Sequence, residues 1–406
     1  MNTIENNNMT KKQKHLVLAL LTMMFFLGVS ASDIYIASLP QMVHDFNATP
    51  SSINLTLSIY TVGVAFAVLF VGELSSRYGR RLILLLGVAC FSCSALLISL
   101  IPWLSIIILL RGLQAFGCAV IVIVPRLILK DCMDEREQIT ANGLMLMGLI
   151  ISPAIAPVLG AYLAKYWGWR SCFMFSSITG IILIIIGYFI LPETLHQKLD
   201  RFHPAKHYLQ MYLKLATNRV FIALTTMYAT GVGAYFAFIG VSSYLYINHW
   251  HISPQSYSLL YLWLSAAYLA GNQIMQYLNS HRFDPVSIIG VGVYSTSIGT
   301  IIVLSSWFVS NVKLTMVLVT MGVVFMRAAN ALINPPTQIR IMSHFDGNSA
   351  QALGLNMCVG FLVSSIAISL VTIVPSQPLA SLLIVSGIFV SICAVAFVFN
   401  RKSLRE

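Results

Sequence analysis

The stretch SCFMFSSITGIILIIIGYFIL, residues 171–191, contains 21 consecutive residues without a charged side chain. A helix of about 20 mainly apolar residues is long enough to cross the hydrocarbon core of a bilayer. Similar runs occur at 16–39, 52–74, 82–101, 104–129, 141–164, 219–246, 257–278, 286–308, 314–338, 350–373 and 380–400. We therefore expect an all-α membrane protein with 12 transmembrane helices.

The composition excludes most soluble classes of protein. Of the 406 residues, 58% are apolar and 9% are charged, whereas a soluble domain carries roughly a quarter charged residues. Such a chain has too few polar groups to cover a water-exposed surface of its size. Cys90 and Cys93 form a CxxC inside an apolar run and the other five cysteines are scattered; we expect all seven to pack as small apolar residues without forming a metal site.

The basic residues predict the orientation in the membrane. The formal net charge is +11, a balance that also occurs in nucleic-acid-binding proteins. With the N-terminus placed inside, 18 of the 24 Lys and Arg residues fall in cytoplasmic segments. This distribution follows the positive-inside rule for membrane helices. We therefore expect no nucleic-acid partner and two cytoplasmic termini.

The longest polar segment, residues 192–218, lies between the sixth and seventh apolar runs. It divides the chain into two parts with six runs each, an arrangement typical of transporters built from repeats. We predict an N-terminal six-helix bundle over 1–191, a cytoplasmic linker over 192–218 and a C-terminal six-helix bundle over 219–406.

Two opposite charges are predicted at matching depth in the first half. Asp33 is the only acid well inside an apolar run and lies seven residues before Pro40, near the outer end of that run; Arg111 lies seven residues after Leu104, at the outer end of the fourth run. Buried ionisable groups are costly and mark functional candidates, and pairing lowers that cost. Asp33 is therefore a candidate proton carrier with Arg111 beside it, and a static ion pair is the alternative. Glu73 and Arg126 form a second candidate pair at the inner face, as a gate or as ordinary interfacial charges.

A polar stripe crosses the tenth run. Arg327, Asn330, Asn334 and Gln338 have spacings of three, four and four residues, which place them on one helical face. Such a face must meet protein or water rather than lipid. It predicts either substrate contact or a packing stripe. Further candidate substrate contacts on other helices are Asn54, Ser58, Tyr228, Tyr235, Asn272 and Gln276, with Tyr268 one turn before Asn272.

Several motifs resemble a known family. GELSSRYGRR at 72–81, LRGLQAFG at 110–117 and PAIAPVLG at 153–160 resemble motifs of the major facilitator superfamily. SDIY at 32–35 with Pro40, Trp169-Arg170 before Phe173, and LPETL at 191–195 are similar to its Bcr/CflA drug-resistance branch. The resemblance covers the N-terminal half well and the C-terminal half only in helix count and length.

The resemblance implies a major facilitator fold with two pseudo-symmetric six-helix bundles that alternate access to a midplane site. It implies proton-coupled antiport of small amphipathic molecules such as drugs across a bacterial inner membrane. Asp33 and Arg111 would then couple protons, and Tyr35 and Gln114 would join the substrate contacts. The expected gating residues are Gly72, Glu73, Arg77, Gly79, Arg80, Arg81, Arg126, Pro153, Pro157 and Gly160.

One departure from the family pattern concerns the inner loop. The motif normally has Asp where this chain has Ser76. Glu73 lies one helical turn earlier and is the expected substitute.

The charges also favour an alternative cargo. Arg111 and Arg327 against Asp33 leave a net positive charge, which suits neutral, zwitterionic or anionic molecules better than cations. An exporter of an endogenous metabolite or a carboxylate siderophore is therefore the first alternative, and a proton-coupled uptake symporter is the second.

The sequence gives less support to functional classes other than transporters. The chain lacks HExxH, GxSxG and a phosphate loop, so we do not expect an enzyme. A receptor or a channel is a further alternative. The expected partners are a small-molecule substrate, protons and the lipid bilayer; we expect a monomer without cofactors.

Overall fold

The computed structural model describes residues 10–133, 135–195, 205–345, 348–401 and 404. Within these ranges every regular element is a helix, and no strand occurs. The all-α prediction is therefore confirmed for this part of the chain. Residues 196–204 of the predicted linker lie outside the described residues.

The described ranges form 15 α-helices. Their bounds are α1 Lys11–Asp33, α2 Leu39–Asp45, α3 Pro50–Tyr78, α4 Arg80–Leu100, α5 Leu104–Cys132, α6 Glu135–Trp167, α7 Arg170–Ile190, α8 Ala205–Ala216, α9 Arg219–Ser243, α10 Pro254–Ser258, α11 Leu260–Ser280, α12 Pro285–Ser305, α13 Val312–His344, α14 Ser349–Leu370 and α15 Pro378–Asn400.

Ten helical segments of the described chain are long and apolar enough to cross a membrane. They are Lys12–Asp45, Pro50–Tyr78, Arg80–Leu100, Leu104–Cys132, Arg170–Ile190, Arg219–His249, Pro285–Phe308, Val312–His344, Gln351–Leu370 and Pro378–Asn400. The fifth and eighth predicted runs correspond to α6 and α11, which are helical but outside this set. In α11 the polar side chains of Asn272, Gln273, Gln276 and Asn279 reduce its apolar character. A multi-pass helical membrane protein is confirmed, and the count of 12 spans stays a prediction.

The first span is not one continuous helix. The helix α1 ends at Asp33, a short 3-10 helix occupies Ile36–Ser38, and α2 begins at Leu39. Pro40 lies in the first turn of α2 and supplies no N–H to the carbonyl of Ile36 four residues earlier, which disfavours a regular α-helix through the 3-10 segment. The predicted span 16–39 lies within the candidate span Lys12–Asp45, but because this span is interrupted after Asp33, a depth for Asp33 counted along a straight helix does not apply.

The chain divides into two compact units. The first contains Met1–Ser38 and Val62–His203, and the second contains Leu39–Thr61 and Pro204–Glu406. The helix α3 belongs to both, because its first part packs with the second unit. The division predicted at 191 and 219 stays a prediction.

Each unit has a characteristic central helix. In the second unit α9 is the most enclosed helix, with Leu224, Met227 and Phe238 fully buried. In the first unit Arg111 and Ile121 of α5 are fully buried. The peripheral α7 instead exposes large apolar side chains such as Ile182 and Phe189, as expected for a lipid-facing helix.

Candidate functional site

Arg111 lies buried at the broken end of α1. Its side chain is fully excluded from solvent. The Nη1 group donates to the carbonyl oxygen of Ala31 at 3.4 Å and to Oε1 of Gln114 at 2.6 Å. The last carbonyls of a helix lack intrahelical donors and carry the negative end of its dipole. The guanidinium therefore stabilises the end of α1, and Gln114 holds the guanidinium in place.

Aromatic rings enclose this guanidinium. The Cζ atom of Arg111 lies 4.8 Å from the ring centroid of Tyr35 and 5.7 Å from that of Phe173. The rings of Tyr35 and Phe173 lie 5.0 Å apart, and Trp169 meets Phe173 edge-on at 6.0 Å. Cation–π contacts of this kind strengthen when water is excluded. Tyr35, predicted to contact substrate, is fully buried in this cluster.

Asp33 is the last residue of α1 and is half-buried. Its Oδ1 accepts a hydrogen bond from the hydroxyl of Ser32 at 3.3 Å. Arg111 binds the carbonyl of Ala31, two residues earlier, so both charges belong to the same helix end. A direct ion pair between Asp33 and Arg111 stays a prediction.

Gly160 of α6 packs against the break after α1. A Cβ atom at this position would overlap the carbonyl oxygen of Ile34, so only glycine fits this close approach. The helix α6 continues through Pro153 and Pro157. The predicted gating motif thus supports the segment that carries Asp33.

Arg80 forms the centre of a polar network at the other end of the first unit. Its Nη1 donates to the hydroxyls of Ser75 at 2.8 Å and Ser76 at 2.9 Å, and its Nε donates to Oδ2 of Asp131 at 3.0 Å. Ser76, which replaces the family's Asp, therefore still binds Arg80. The carboxylate partner is Asp131 of α5, which the sequence motifs did not identify. The substitution of Glu73 for the missing Asp stays a prediction.

Glu193 joins the segment after α7 to the start of α4. Its Oε1 accepts from the backbone N–H groups of Arg80 at 2.9 Å, Thr194 at 3.0 Å and Leu195 at 3.1 Å. Gly79 precedes Arg80 with φ 106°, and a Cβ atom there would overlap the Glu193 carboxylate. Sequence reasoning missed this role, although Glu193 lies in the LPETL motif.

The other predicted gating residues lie near the same end of the unit. Arg81 donates to the carbonyl of Tyr188 and lies over that ring at 5.6 Å. Arg126 lies over Phe25 at 5.3 Å, and its pairing with Glu73 stays a prediction. Arg77 lies over Tyr78 at 5.4 Å, and the carbonyl of Gly72 accepts from the Ser75 and Ser76 hydroxyls.

In the second unit Arg327 lies near the middle of α13, between α9 and α11. Its Cζ atom is 4.5 Å from the ring centroid of Tyr235 and 4.7 Å from that of Tyr268. No carboxylate among the described residues lies within 4.0 Å of Arg327. The rings of the two tyrosines therefore flank this cation.

Asn330 and Asn334 follow Arg327 on the same face of α13. Asn330 is 1% exposed, and neither its Nδ2 nor its Oδ1 has a hydrogen-bond partner among the described residues. The same is true of Oδ1 of Asn334 and Nε of Arg327. Polar atoms buried in this way are costly, so this face is suited to binding a polar group.

The remaining predicted substrate contacts differ in their surroundings. Asn272 is half-buried on α11 and Gln276 is exposed. Tyr228 packs closely against Gly360 of α14. The structure therefore groups Tyr235 with Arg327 but leaves these three side chains in separate settings.

Asn54 and Ser58 of α3 are satisfied within the second unit. Asn54 donates to the carbonyl of Gly240 at 2.7 Å and accepts from the hydroxyl of Tyr244 at 3.1 Å. The hydroxyl of Ser58 lies 2.9 Å from that of Ser369. These bonds join α3 to α9 and α14, so both side chains pack between helices in this structure.

Comparisons with known proteins agree with the helical architecture. A bicyclomycin resistance protein homolog of Haemophilus influenzae is 25% identical over 396 residues, 96% of this chain and 97% of the relative. Multidrug resistance protein D of Escherichia coli is 27% identical over 255 residues, 62% of this chain and 63% of the relative.

A solved structure shares the fold. The inward-facing, unoccupied structure of a bacterial homolog of the human lysosomal transporter Spinster superposes with a TM-score of 0.78 at 13% identity, covering 98% of both chains. The model of the Major Facilitator Superfamily matches residues 18–368. The chain therefore belongs to the major facilitator superfamily, and it is a membrane transporter rather than an enzyme.

Proposed function

We propose that this transporter exports small amphipathic molecules, drugs among them, in exchange for protons. Asp33 carries the proton, and Arg111 adjusts the proton affinity of that carboxyl group. The membrane is a bacterial inner membrane, with both termini in the cytoplasm. The fold has 12 transmembrane helices in two six-helix bundles, and the chain works as a monomer.

The arrangement around α1 is the main support for proton coupling. Asp33 terminates α1, and the buried guanidinium of Arg111 binds the same helix end through Ala31. A guanidinium and partial burial act on a carboxyl group in opposite directions. Small movements at this break therefore change the proton affinity of Asp33, as coupling requires.

The relatives support the direction and the cargo class. One is a bicyclomycin resistance protein homolog and another is multidrug resistance protein D. Resistance by a transporter is most simply explained by export. The similarity to the bicyclomycin resistance protein homolog spans 96% of this chain, so the proposal applies to nearly all of it.

The proposal is tested with full-length protein in proteoliposomes that contain a pH reporter. The lumen is loaded with bicyclomycin, ethidium or 4-phenylbutanoate as a neutral, cationic or anionic probe, and an inward proton gradient is imposed. We expect the gradient to accelerate release of at least one probe in wild type. Asp33→Asn should abolish this acceleration, because an amide carries no exchangeable acid proton.

Asp45→Asn is the matched control. Asp45 is a second acid of the same segment, on α2, with a side chain 37% exposed. It should retain gradient-driven release. Equal acceleration in wild type and Asp33→Asn would exclude Asp33 as the carrier.

Export of an endogenous carboxylate metabolite, such as a siderophore, is the second candidate function. The positive charge of Arg327, which has no ion pair among the described residues, favours it. In the same assay this function predicts that 4-phenylbutanoate is the preferred probe.

A further inference from the structure

The face of α13 that begins at Arg327 differs from an ordinary packing face. Arg327, Asn330, Asn334 and Thr337 follow one another at spacings of three, four and three residues. Each has a buried side-chain nitrogen or oxygen without a hydrogen-bond partner among the described residues. Native proteins rarely leave buried polar atoms unsatisfied, and four in a row on one face therefore indicate a binding surface.

Asn54 provides an internal comparison in the same unit. Both Asn54 and Asn330 are 1% exposed. Asn54 uses its amide nitrogen and oxygen in hydrogen bonds to Gly240 and Tyr244, whereas Asn330 uses neither among the described residues. Asn356 of α14 is also buried with neither amide atom bonded in the described part of the chain, so Asn330 is distinguished by its place in a row of four such residues on one face. Opposite Asn330 stands Gly231 of α9, at which a Cβ atom would still lie 3.8 Å from Oδ1.

Arg327 adds a positive charge to this face. A cation–π contact attracts the charge of a guanidinium but does not occupy its N–H donors. The rings of Tyr235 and Tyr268 therefore stabilise the cation while Nε has no hydrogen-bond partner within the described part of the chain. The planar fork of arginine matches the two oxygens of a carboxylate.

Among the described residues no carboxylate forms an ion pair with Arg327. Between residues 219 and 400 the sequence contains only two acidic residues, Asp284 and Asp346. Asp284 directly precedes α12, and Asp346 lies outside the described residues. An uncompensated charge in an apolar environment is costly, so an anionic ligand would be stabilised here.

We propose that Arg327, Asn330 and Asn334 form a subsite for the carboxylate of an amphipathic ligand, with Tyr235 and Tyr268 beside it. Arg327 supplies the charge and its N–H donors, and the asparagine amides supply further donors. The inference rests on the proposed function only in taking that ligand to be the transported molecule. It names the chemical group by which the second unit recognises its substrate.

The test measures equilibrium binding to the purified full-length chain in a neutral detergent, by calorimetry and without any gradient. The probes are 4-phenylbutanoate, 4-phenylbutanamide and 4-phenylbutylammonium, which share one body and differ in the polar group. We expect the carboxylate to bind at least about tenfold more tightly than the amide, as for a charge-assisted hydrogen bond. Equal or weaker binding of the carboxylate would overturn the inference.

Three variants test whether Arg327 causes the preference for carboxylate over amide. Arg327→Gln should reduce the preference for carboxylate over amide to near one, and Arg327→Lys should leave an intermediate preference because lysine keeps the charge without the fork. Lys313→Gln removes an exposed charge from the first turn of the same helix and should keep the full preference. Loss of preference in Lys313→Gln as large as in Arg327→Gln would indicate nonspecific attraction and overturn the subsite.

The outcome is separable from that of the proposed function. Carboxylate-selective binding without proton-coupled release would contradict the proposed function and support the subsite. Proton-coupled release of the cationic probe, together with no carboxylate preference in binding, would support the proposed function and contradict the subsite. If Arg327→Gln does not fold, as judged by its thermal unfolding, a full preference in a folded Arg327→Lys would still contradict the role of the fork.

Discussion

At the end of α1 the hydrogen-bond donor to a terminal carbonyl is the guanidinium of Arg111 rather than water, and this guanidinium is itself excluded from solvent. It binds Ala31 and Gln114 and lies over the rings of Tyr35 and Phe173. Arginine suits this position because it is more weakly hydrated than lysine and stacks on aromatic rings. The residue thus connects the orientation of a helix end to the charge beside Asp33.

Replacing Arg111 by lysine tests this geometry. Arg111→Lys keeps the charge but loses the planar donor fork and much of the ring contact, so we expect proton-coupled release to fall by about tenfold or more, as for a lost charge-assisted hydrogen bond. Release from proteoliposomes under an inward proton gradient measures it. Arg170→Lys is the matched control, since Arg170 also lies over a ring, that of Trp169 at 4.4 Å. Full coupling in Arg111→Lys would show that charge alone suffices.

Sequence periodicity identified candidate residues on one helix but not the residues of other helices that they contact. The spacings on α13 correctly placed Arg327, Asn330 and Asn334 on one face, because helical geometry is local. Asp131 and Glu193 were missed as partners of Arg80, since they lie 51 and 113 residues away in sequence. Such contacts depend on how helices pack, which the spacing within one helix does not determine.

Among the elements, the break between α1 and α2 determines how the candidate proton site is built. Pro40 was visible in the sequence, but the apolar run 16–39 continues across the break and concealed it. The interrupted helix leaves carbonyls for Arg111 and brings the Ile34 carbonyl against α6. An unbroken helix would satisfy these carbonyls internally.

Gly160→Ala tests the contact between α6 and this break. Alanine is favoured over glycine inside a helix by about 1 kcal/mol, but here its Cβ would overlap the Ile34 oxygen. We expect a lower thermal unfolding midpoint and reduced proton coupling, because the segment that carries Asp33 must shift.

Gly387→Ala on α15 is the control for this substitution. No atom lies within 4 Å of the added Cβ there, so the midpoint should stay the same or rise. If Gly160→Ala also left the midpoint and the coupling unchanged, the close packing of α6 on the break would be unimportant.

The whole molecule combines a family fold with two chemically different units. The first contains Asp33 and the buried Arg111 at a helix end, and the second contains Arg327 with asparagines on one helix face and no ion pair to Arg327 among the described residues. Composition and apolar runs predicted the helical membrane class, because both reflect the bilayer as solvent. Composition alone does not determine the number of spans, because the polar side chains on α11 lower its apolar character.

Labelling of single cysteines tests whether α11 crosses the membrane. In a background without the seven native cysteines, Ser256→Cys and Ser280→Cys place exposed thiols before and at the end of α11. The distribution of Lys and Arg predicts that Ser256 faces outside and Ser280 inside. A membrane-impermeant maleimide should label the first in intact cells and the second only after permeabilisation. Labelling of both in intact cells would contradict the 12-span fold.

The central claim is exchange of substrate for protons through Asp33. The most direct measurement starts without a pH gradient: proteoliposomes are loaded with the preferred probe, diluted into probe-free buffer, and followed with the internal pH reporter. Antiport predicts that the lumen acidifies as the probe leaves in wild type and that its pH stays constant in Asp33→Asn. A lumen that becomes alkaline would reveal symport, and a constant pH during wild-type release would show uncoupled transport; either result would contradict the account.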